Sequence, residues 1–437
     1  MLVSESTLLI LVFAVIGLII AAGLKFDCNI GMLGILGALL LGSWLGGESL
    51  MGVITGYWPV SVMFIILVTS FFFGFANQNG TLSALADRIV YTFKGIRWFA
   101  PFSIYLTGLI LSAIGVGTLA IVFVAPIGFQ IAKKAKFDPI LVPIAANCAC
   151  LSAGGLIWTA GGPTNVALLM NAGWDETAAT ELATSFGFAS LLPCLVAFIV
   201  CYFLRKGWDC EHIIMEKPAP LTPVQRKTVG VIIFVLVLNV CPLFLNAIFH
   251  TAWSQYLYSH VNLQVCAVIG GIICVFMKLA DERAVINQNV PWSSLLIICG
   301  MGMLVQVAVR HGIADVIGGW IASAIPDWAI VAAFALFGGL LSFCCSALSV
   351  VYPLMLPMIF GLMQNGSKVS VLAMVTSLVL TACYTGMCPF SQNGALMLSS
   401  ADDETRRSLT YRMISWSFIL LIISVVYALI GAYGIFG

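Results

Sequence analysis

Long apolar segments separated by short polar ones run through the whole sequence. Ten of these segments are long enough to cross the roughly 30 Å hydrocarbon core of a bilayer. They are 7–24, 28–46, 57–78, 138–171, 184–205, 226–249, 261–280, 293–310, 368–399 and 409–435. The pattern predicts an all-α, polytopic membrane protein, because a helix satisfies its own backbone hydrogen bonds where no water is present.

Composition excludes a soluble protein. The chain has 437 residues, of which 61% are hydrophobic and only 8% charged, and its mean hydropathy is +1.08. A soluble domain carries roughly 25% charged residues. No Lys or Arg precedes the first apolar segment, so we expect a spanning helix there rather than a signal peptide. The net charge of +1 favours no acidic or basic macromolecular partner.

Two further apolar segments, 98–133 and 327–365, are too long for one helix and have small residues near the middle. The first break is Gly115-Val-Gly117, and the second is Ser346-Ala-Leu-Ser349. We interpret both segments as re-entrant helical hairpins, since irregular backbone is tolerated at membrane depth where protein or a wet cavity surrounds it. A short amphipathic stretch precedes each hairpin, at 80–93 and 312–324, and is typical of an interfacial helix.

The order of these features repeats in the two halves of the chain. Positions 80 and 312, 126 and 357, and 167 and 395 correspond, with separations of 232, 231 and 228 residues. Each half contains five crossings, and an odd number predicts that the second half is inverted, as in many secondary transporters. The predicted parts are a first repeat 1–210 (scaffold 1–95, hairpin and transport elements 96–175, linking helix 184–210) and a second repeat 222–437 (scaffold 222–325, hairpin and transport elements 326–400, last helix 409–435).

The basic residues test this topology independently. With the crossings numbered as above, 17 of the 19 Lys and Arg residues fall on one side, and Arg310 and Lys368 fall on the other. The positive-inside rule makes the first side cytoplasmic. Both termini are then expected outside.

Two spans contain breaks that no regular helix accommodates. The first break, 152–165, contains four glycines and a proline, and the second, 385–394, contains Gly386, Pro389 and Gly394. A broken helix presents a positive N-terminus to anions and free carbonyl groups to cations, whereas a simple kink would carry no function. Matched breaks, each beside a hairpin, favour a binding site. Trp158 beside the first break either lines that site or packs.

No acidic or basic residue lies deep in a predicted span, so the site is expected to consist of backbone, hydroxyl and amide groups without a buried proton relay. The four histidines, His212, His250, His260 and His311, are predicted to be interfacial. The 14 cysteines have no zinc-binding spacing. With no hydrolase, metalloprotease or phosphate-loop motif, an enzyme is not expected. A passive channel is the less favoured alternative to alternating access.

Three stretches carry a family resemblance: 29–42, 79–82 and 111–118. They resemble the N-terminal region of MatC-type dicarboxylate (malonate) carriers, and the whole layout is similar to the divalent anion–sodium symporters of the ion transporter superfamily. The resemblance implies a secondary active carrier, a probable symporter in the bacterial inner membrane, for malonate or a four-carbon dicarboxylate. It also implies a homodimer that works by an elevator motion. The alternatives are a carrier of another organic or inorganic anion, or a membrane subunit that works with a separate binding protein.

The resemblance also implies the site residues. The family's Ser-Asn-Thr hairpin tips correspond here to Val116-Gly117-Thr118 and Ala347-Leu348-Ser349, and its first break corresponds to 161–165. The implied substrate-binding residues are Gly117, Thr118, Gly162, Thr164, Asn165, Ser346, Ser349, Ser391, Gln392 and Asn393. The implied sodium-site residues are Ser112, Gly115 and Gly161. No cofactor is expected beyond a coupling Na⁺ or H⁺.

Overall fold

The structure is a computed structural model that describes residues 5–26, 28–92, 97–159, 161–211, 217–249, 251–311, 325–343 and 347–433. Within these ranges the chain is helical and contains no β-strand. The all-α prediction is therefore confirmed. The predicted interfacial helix 312–324 lies outside the described residues.

The helices of the first half include one interrupted crossing, formed by the eighth and ninth helices. They are α1 (Glu5–Phe26), α2 (Ile30–Ala38, continued by a wider π-helical turn Leu39–Leu45), α3 (Leu50–Tyr57), α4 (Val60–Gln78), α5 (Thr81–Thr92), α6 (Ala100–Leu111), α7 (Ile121–Ala135), α8 (Leu141–Gly154), α9 (Gly161–Ala172), α10 (Glu176–Ala189) and α11 (Leu191–Leu204). Residues between α6 and α7 form a π-helical turn, Ser112–Val116, and a 3₁₀ turn, Gly117–Ala120.

The second half has the same kinds of element. Its helices are α12 (Pro223–Phe249), α13 (Ala252–His260), α14 (Leu263–Phe276), α15 (Glu282–Gln288), α16 (Trp292–Arg310), α17 (Asp327–Ser342), α18 (Tyr352–Gln364), α19 (Val371–Thr385), α20 (Gln392–Ser399) and α21 (Asp403–Leu429). A π-helical turn, Ala347–Val351, leads into α18.

Every predicted span contains a helix, but three short helices were not predicted. These are α3, α13 and α15, and each begins after a side-chain N-cap: Ser49, Thr251 and Asp281. The span predicted from 184 also starts earlier, because Asp175 caps α10 by accepting a hydrogen bond from the Ala178 N–H. Local capping chemistry starts these helices where the hydrophobic pattern gives no signal.

Helix length shows that the first helix of each interrupted span is too short to cross the bilayer core by itself. At 1.5 Å per residue, α8 with 14 residues is about 21 Å long and α19 with 15 is about 22 Å long. Both are shorter than a bilayer's roughly 30 Å core. By contrast, the part of the chain that the structure describes has four helical segments long and apolar enough to cross a membrane: Val60–Gln78, Glu176–Leu204, Pro223–Pro242 and Thr405–Leu429.

The first hairpin turns at two glycines with left-handed backbone. Gly115 has φ 115° and Gly117 has φ 62°. Residues other than glycine adopt such positive φ angles only with strain. The buried Ser112 hydroxyl donates to the Gly117 carbonyl at 2.8 Å and so closes the turn. The helices α6 and α7 pack against each other on either side of it. The predicted break at Gly115–Gly117 is therefore present.

Helices α2 and α16 pack backbone against backbone. A Cβ atom added at Gly300 would lie 1.9 Å from the Gly31 carbonyl oxygen, and one at Gly34 would lie 2.7 Å from the Gly300 backbone. The Asn29 side chain joins the two helices at one end by donating to the Ser293 hydroxyl at 2.9 Å. Glycine is needed here because small residues let membrane helices approach closely.

Asp138, between α7 and α8, connects three elements at one end of the molecule. Its carboxylate accepts from Arg412 of α21 and from Arg205, just after α11, and from the Ile140 N–H at 3.1 Å. Burial alone would raise the Asp138 pKa, but these hydrogen bonds outweigh burial and hold the pKa below its usual value of 3.8.

The Asp138→Asn variant should be less stable than the wild type at pH 7, by about 2 kcal/mol, because hydrogen bonds to a charged group are lost. A carboxylate with a lowered folded-state pKa stabilises fully above its unfolded-state pKa, and the stabilisation is lost as the pH falls through the folded-state value. Thermal unfolding should therefore show a constant gap between the two proteins at about pH 5–8, closing below 3.8. The exposed Asp209→Asn is the control, and an equal gap in that variant would contradict the assignment.

Candidate functional site

A cavity of about 210 Å³ lies where the two broken spans and the two hairpin tips meet. Helices α4 and α16 complete its wall with residues such as Thr69, Phe73 and Ile298. Its volume is below the roughly 300–1,000 Å³ of pockets for drug-sized ligands. The cavity therefore suits a small solute.

The first break contributes a helix end and two polar side chains to this cavity. Gly161, at the start of α9, lines it together with Thr164 and Asn165. A Cβ atom at Gly161 would lie 2.1 Å from the Gly154 carbonyl oxygen, so only glycine permits the close return of the chain. Asn165 is 7% exposed, and its side chain makes no hydrogen bond with the described part of the chain.

The second break is built in the same way. A Cβ atom at Gly394 would lie 1.9 Å from the Cys388 carbonyl oxygen. Ser391 is the N-cap of α20: its hydroxyl accepts from the Gly394 N–H at 3.1 Å and donates to the Gly386 and Cys388 carbonyl groups. Ser391 and Asn393 both line the cavity, but the Ser391 hydroxyl is already occupied by capping.

One hydroxyl at each break satisfies the carbonyl that ends the first half-helix. Thr159 donates to the Gly154 carbonyl at 2.7 Å, and Ser391 donates to the Gly386 carbonyl. In both cases the hydroxyl comes five residues after the carbonyl. The breaks are therefore built turns with paired backbone groups, rather than kinks alone.

The predicted substrate residues fall into three groups. Thr164, Asn165, Ser391 and Asn393 line the cavity. Gly162 and Gly117 shape the backbone without lining it: a Cβ atom at Gly162 would lie 2.5 Å from Ile157 Cα. The others are described by backbone position alone or not at all: Thr118 in the turn Gly117–Ala120, Ser349 in the turn Ala347–Val351, Gln392 at the start of α20, and Ser346 outside the described residues.

Of the residues predicted to hold sodium, Gly161 lines the cavity, whereas Ser112 and Gly115 are buried within the first hairpin tip. Gly115 packs against Phe73 of α4, since a Cβ atom there would lie 2.9 Å from that ring. The Ser112 hydroxyl donates at 2.8 Å to the carbonyl oxygen of Gly117, a residue predicted for the substrate site.

Several lining residues were not predicted. Thr69 and Ser70 of α4, Ser342 of α17 and Tyr352 of α18 face the cavity. Ser342 donates to the Ala382 carbonyl of α19 at 2.6 Å. The sequence contained one signal for Ser342. This serine follows Ser112 by 230 residues, which is within the range of separations between corresponding positions of the two halves.

Trp158 packs beside the cavity and does not line it in the described structure. Its indole N–H donates to the Ala113 carbonyl at 3.0 Å, and its ring lies 5.8 Å from the Phe188 ring centroid. Of the two interpretations of Trp158, the packing one fits these contacts.

Among the described residues, those that line the cavity are uncharged. The polar groups are hydroxyls, side-chain amides and backbone, including the first turns of α9 at Gly161 and of α20 at Asn393. Each helix N-terminus acts as about half a positive charge within its first turn. The arrangement can therefore attract an anion without a basic side chain.

Comparison with known proteins agrees with a transport role. The citrate transporter family matches residues 2–382 of this chain. The chain belongs to this family. This family member is accordingly a membrane transporter and not an enzyme, whereas the finer malonate-carrier type is not distinguished. No curated protein matches it.

Two solved structures share the fold of this citrate transporter family member. The Alcanivorax borkumensis YdaH transporter is 18% identical, with a TM-score of 0.59, covering 90% of this chain and 88% of its own. Neisseria gonorrhoeae MtrF, described as illuminating a class of antimetabolite efflux pumps, is 14% identical, with a TM-score of 0.55, covering 89% and 85%. At these identities the likeness concerns the fold alone.

Proposed function

We propose that this protein is a secondary active transporter of a small dicarboxylate, such as malonate or a four-carbon acid. The observation that carries the proposal is the small cavity between two broken helices and two hairpin tips, lined by uncharged polar groups. The first turns of α9 and α20 meet at this cavity, and each carries about half a positive charge. They favour an anion there.

Asn165 and Asn393 are assigned the role of hydrogen-bond donors to the carboxylates. Both side chains line the cavity, and neither bonds to another side chain or backbone group in the described residues. An amide shielded from water without a partner is costly, and a substrate carboxylate would satisfy it. Thr164 of α9 also lines the cavity and is assigned to contact a carboxylate on position alone.

A cation bound at the first hairpin tip is proposed to couple uptake to an ion gradient. Hard cations take oxygen ligands, and Ser112 Oγ and the Gly117 carbonyl oxygen already lie 2.8 Å apart. Na⁺ is the first candidate for this cation, with H⁺ as the alternative. We further propose a homodimer in a bacterial inner membrane, with both termini outside, in which the hairpins and broken helices move as an elevator against the scaffold.

Citrate is the second candidate substrate, because the citrate transporter family matches residues 2–382. Citrate is bulkier than malonate or a four-carbon dicarboxylate, and the cavity has a volume of only about 210 Å³. A dicarboxylate is therefore the first candidate, and a direct competition between a dicarboxylate and citrate for uptake distinguishes the two.

The test is uptake of labelled malonate, succinate and citrate into proteoliposomes, with the Na⁺ and pH gradients imposed separately. We expect saturable uptake of one dicarboxylate, driven by one of the gradients and competed less well by citrate. Citrate as the best substrate would replace the first candidate by the second. Uptake no faster than in protein-free vesicles, for all three acids and in both directions, would overturn the proposal.

A further inference from the structure

Asn239 is an amide in the middle of the apolar helix α12. It lies in the stretch Val235–Pro242 beside Leu238 and Val240 and is half-buried. A polar side chain within a membrane-spanning helix is costly unless it finds a partner. Its Nδ2 donates to the Trp158 carbonyl oxygen at 3.1 Å. Helix α12 is therefore hydrogen-bonded to the first broken span through this side chain.

Trp158 carries the connection onward to the first hairpin. It lies in the turn between α8 and α9, where the break frees its carbonyl from helical pairing. Its indole Nε1 donates to the Ala113 carbonyl at 3.0 Å. Asn239, Trp158 and Ala113 thus form a continuous relay of two hydrogen bonds.

The relay ends in the most irregular part of the first hairpin. Ala113 belongs to the π-helical turn Ser112–Val116, which contains Gly115 at φ 115°. Val116, in the same turn, lines the cavity. The hairpin tip has left-handed glycines at Gly115 and Gly117, which give it little intrinsic preference for one conformation. Besides the internal Ser112–Gly117 hydrogen bond, contacts with neighbouring elements therefore help to fix its position.

We propose that Asn239 is a positioning residue for the substrate site, acting through Trp158 on the first hairpin tip. This inference rests on the proposed function, because it concerns the same cavity, but Asn239 itself does not touch the cavity. Without the Asn239 amide, the Trp158 turn loses its anchor on α12. The Ala113 carbonyl and the cavity-lining Val116 then sample more positions, and substrate binding weakens.

The kinetic test compares Asn239→Leu with Leu236→Met. The control lies one turn earlier on the same helix α12 and is half-buried like Asn239, but its side chain has no polar group to lose. Loss of one hydrogen bond should raise KM about 2- to 10-fold in Asn239→Leu. The kcat should stay near the wild-type value, and Leu236→Met should match the wild type. An equal rise of KM in both variants would mean that any change on this face of α12 disturbs the site, and would overturn the specific role of the amide.

A second variant tests the relay itself. Trp158→Phe keeps an aromatic ring but removes the N–H that bonds to Ala113. If both residues act through the tip, the double variant should raise KM no more than the larger single change does, because both break one chain of contacts. If the double variant instead raises KM by the product of the two single-variant factors, the two residues act independently, and the relay is overturned. Asn239→Thr serves for both comparisons if Asn239→Leu yields no folded protein.

Hydrogen exchange of the peptide that covers 112–120 needs no substrate and separates this inference from the proposed function. Without any carboxylate, the tip amides should exchange about 2- to 10-fold faster in Asn239→Leu than in Leu236→Met. Equal exchange in the two variants would overturn the positioning role even if transport is confirmed. Faster exchange in Asn239→Leu, beside a wild type that transports no carboxylate, would keep the positioning role and reject the proposed substrate.

Discussion

Replacing Asn165 with alanine is expected to lower the kcat/KM for dicarboxylate uptake by about 10- to 150-fold, and replacing Asn393 by a similar factor. A hydrogen bond to a charged group contributes about 1.5–3 kcal/mol, and 1.4 kcal/mol corresponds to a factor of ten. Both amides line a cavity to which the described residues contribute no basic side chain. A substrate carboxylate that loses one of them has few other donors.

The same substitutions should leave the stability of the protein almost unchanged. Neither side chain bonds to another group in the described residues, so alanine removes no contact that holds the fold together. Asn171→Ala is the matched control on α9, because Asn171 accepts from Gln306 at 2.8 Å through its backbone carbonyl and not through its side chain. Uptake kinetics and thermal unfolding should be measured on all three variants.

Two results would contradict this assignment. An equal loss of uptake in Asn171→Ala would mean that α9 tolerates no change of side chain, and the loss in Asn165→Ala would then say nothing about the substrate. A fall in the unfolding temperature of Asn165→Ala that matches its loss of uptake would indicate a structural role. Loss of uptake confined to Asn165→Ala and Asn393→Ala, with normal unfolding, is the expected pattern.

The broken spans and the first hairpin tip could be predicted because glycine and proline act locally. Gly115 and Gly117 take left-handed backbone that other residues avoid. At the two breaks, Gly161 and Gly394 stand where a Cβ atom would meet a carbonyl oxygen. These requirements can be inferred from residue type and position alone. The location of the cavity follows from them.

The rest of the cavity wall could not be predicted, because it depends on how helices pack. Thr69 of α4 and Tyr352 of α18 line the cavity, yet each lies in a helix that is apolar on nearly every face. Which face meets the cavity is set by the rotation of the helix against its neighbours, which a weak amphipathic pattern does not determine. The role of Ser391 was equally hidden, since a serine before a helix can either cap it or bind a ligand.

The short helices α3, α13 and α15 could not be predicted from the sequence for a third reason, which is their length. They contain 8, 9 and 7 residues, which is below the length at which helical periodicity can be recognised. Their N-caps are visible in the sequence as Ser49, Thr251 and Asp281. Serine, threonine and aspartate are common in all loops, however, so a cap identifies a helix start only when a helix is already known to follow.

Replacing Gly300 with alanine should be strongly destabilising. The new Cβ atom would lie 1.9 Å from the Gly31 carbonyl oxygen, and because backbone fixes the positions of both atoms, no side-chain rotation can relieve the clash. Helices α2 and α16 must separate to accommodate it, which breaks their close packing along Gly31, Gly34 and Gly300. We expect a loss of about 3 kcal/mol, the upper end of the usual range for overpacking.

Gly230→Ala provides the control with the opposite expected sign. Gly230 also lies within a helix, α12, but nothing is within 4 Å of the Cβ position. Alanine favours helix over glycine by about 1 kcal/mol, so Gly230→Ala should unfold at the wild-type temperature or above it. The measurement is the fraction of monodisperse protein that survives a temperature series in detergent. Equal behaviour of the two variants would mean that α2 and α16 are not in backbone contact.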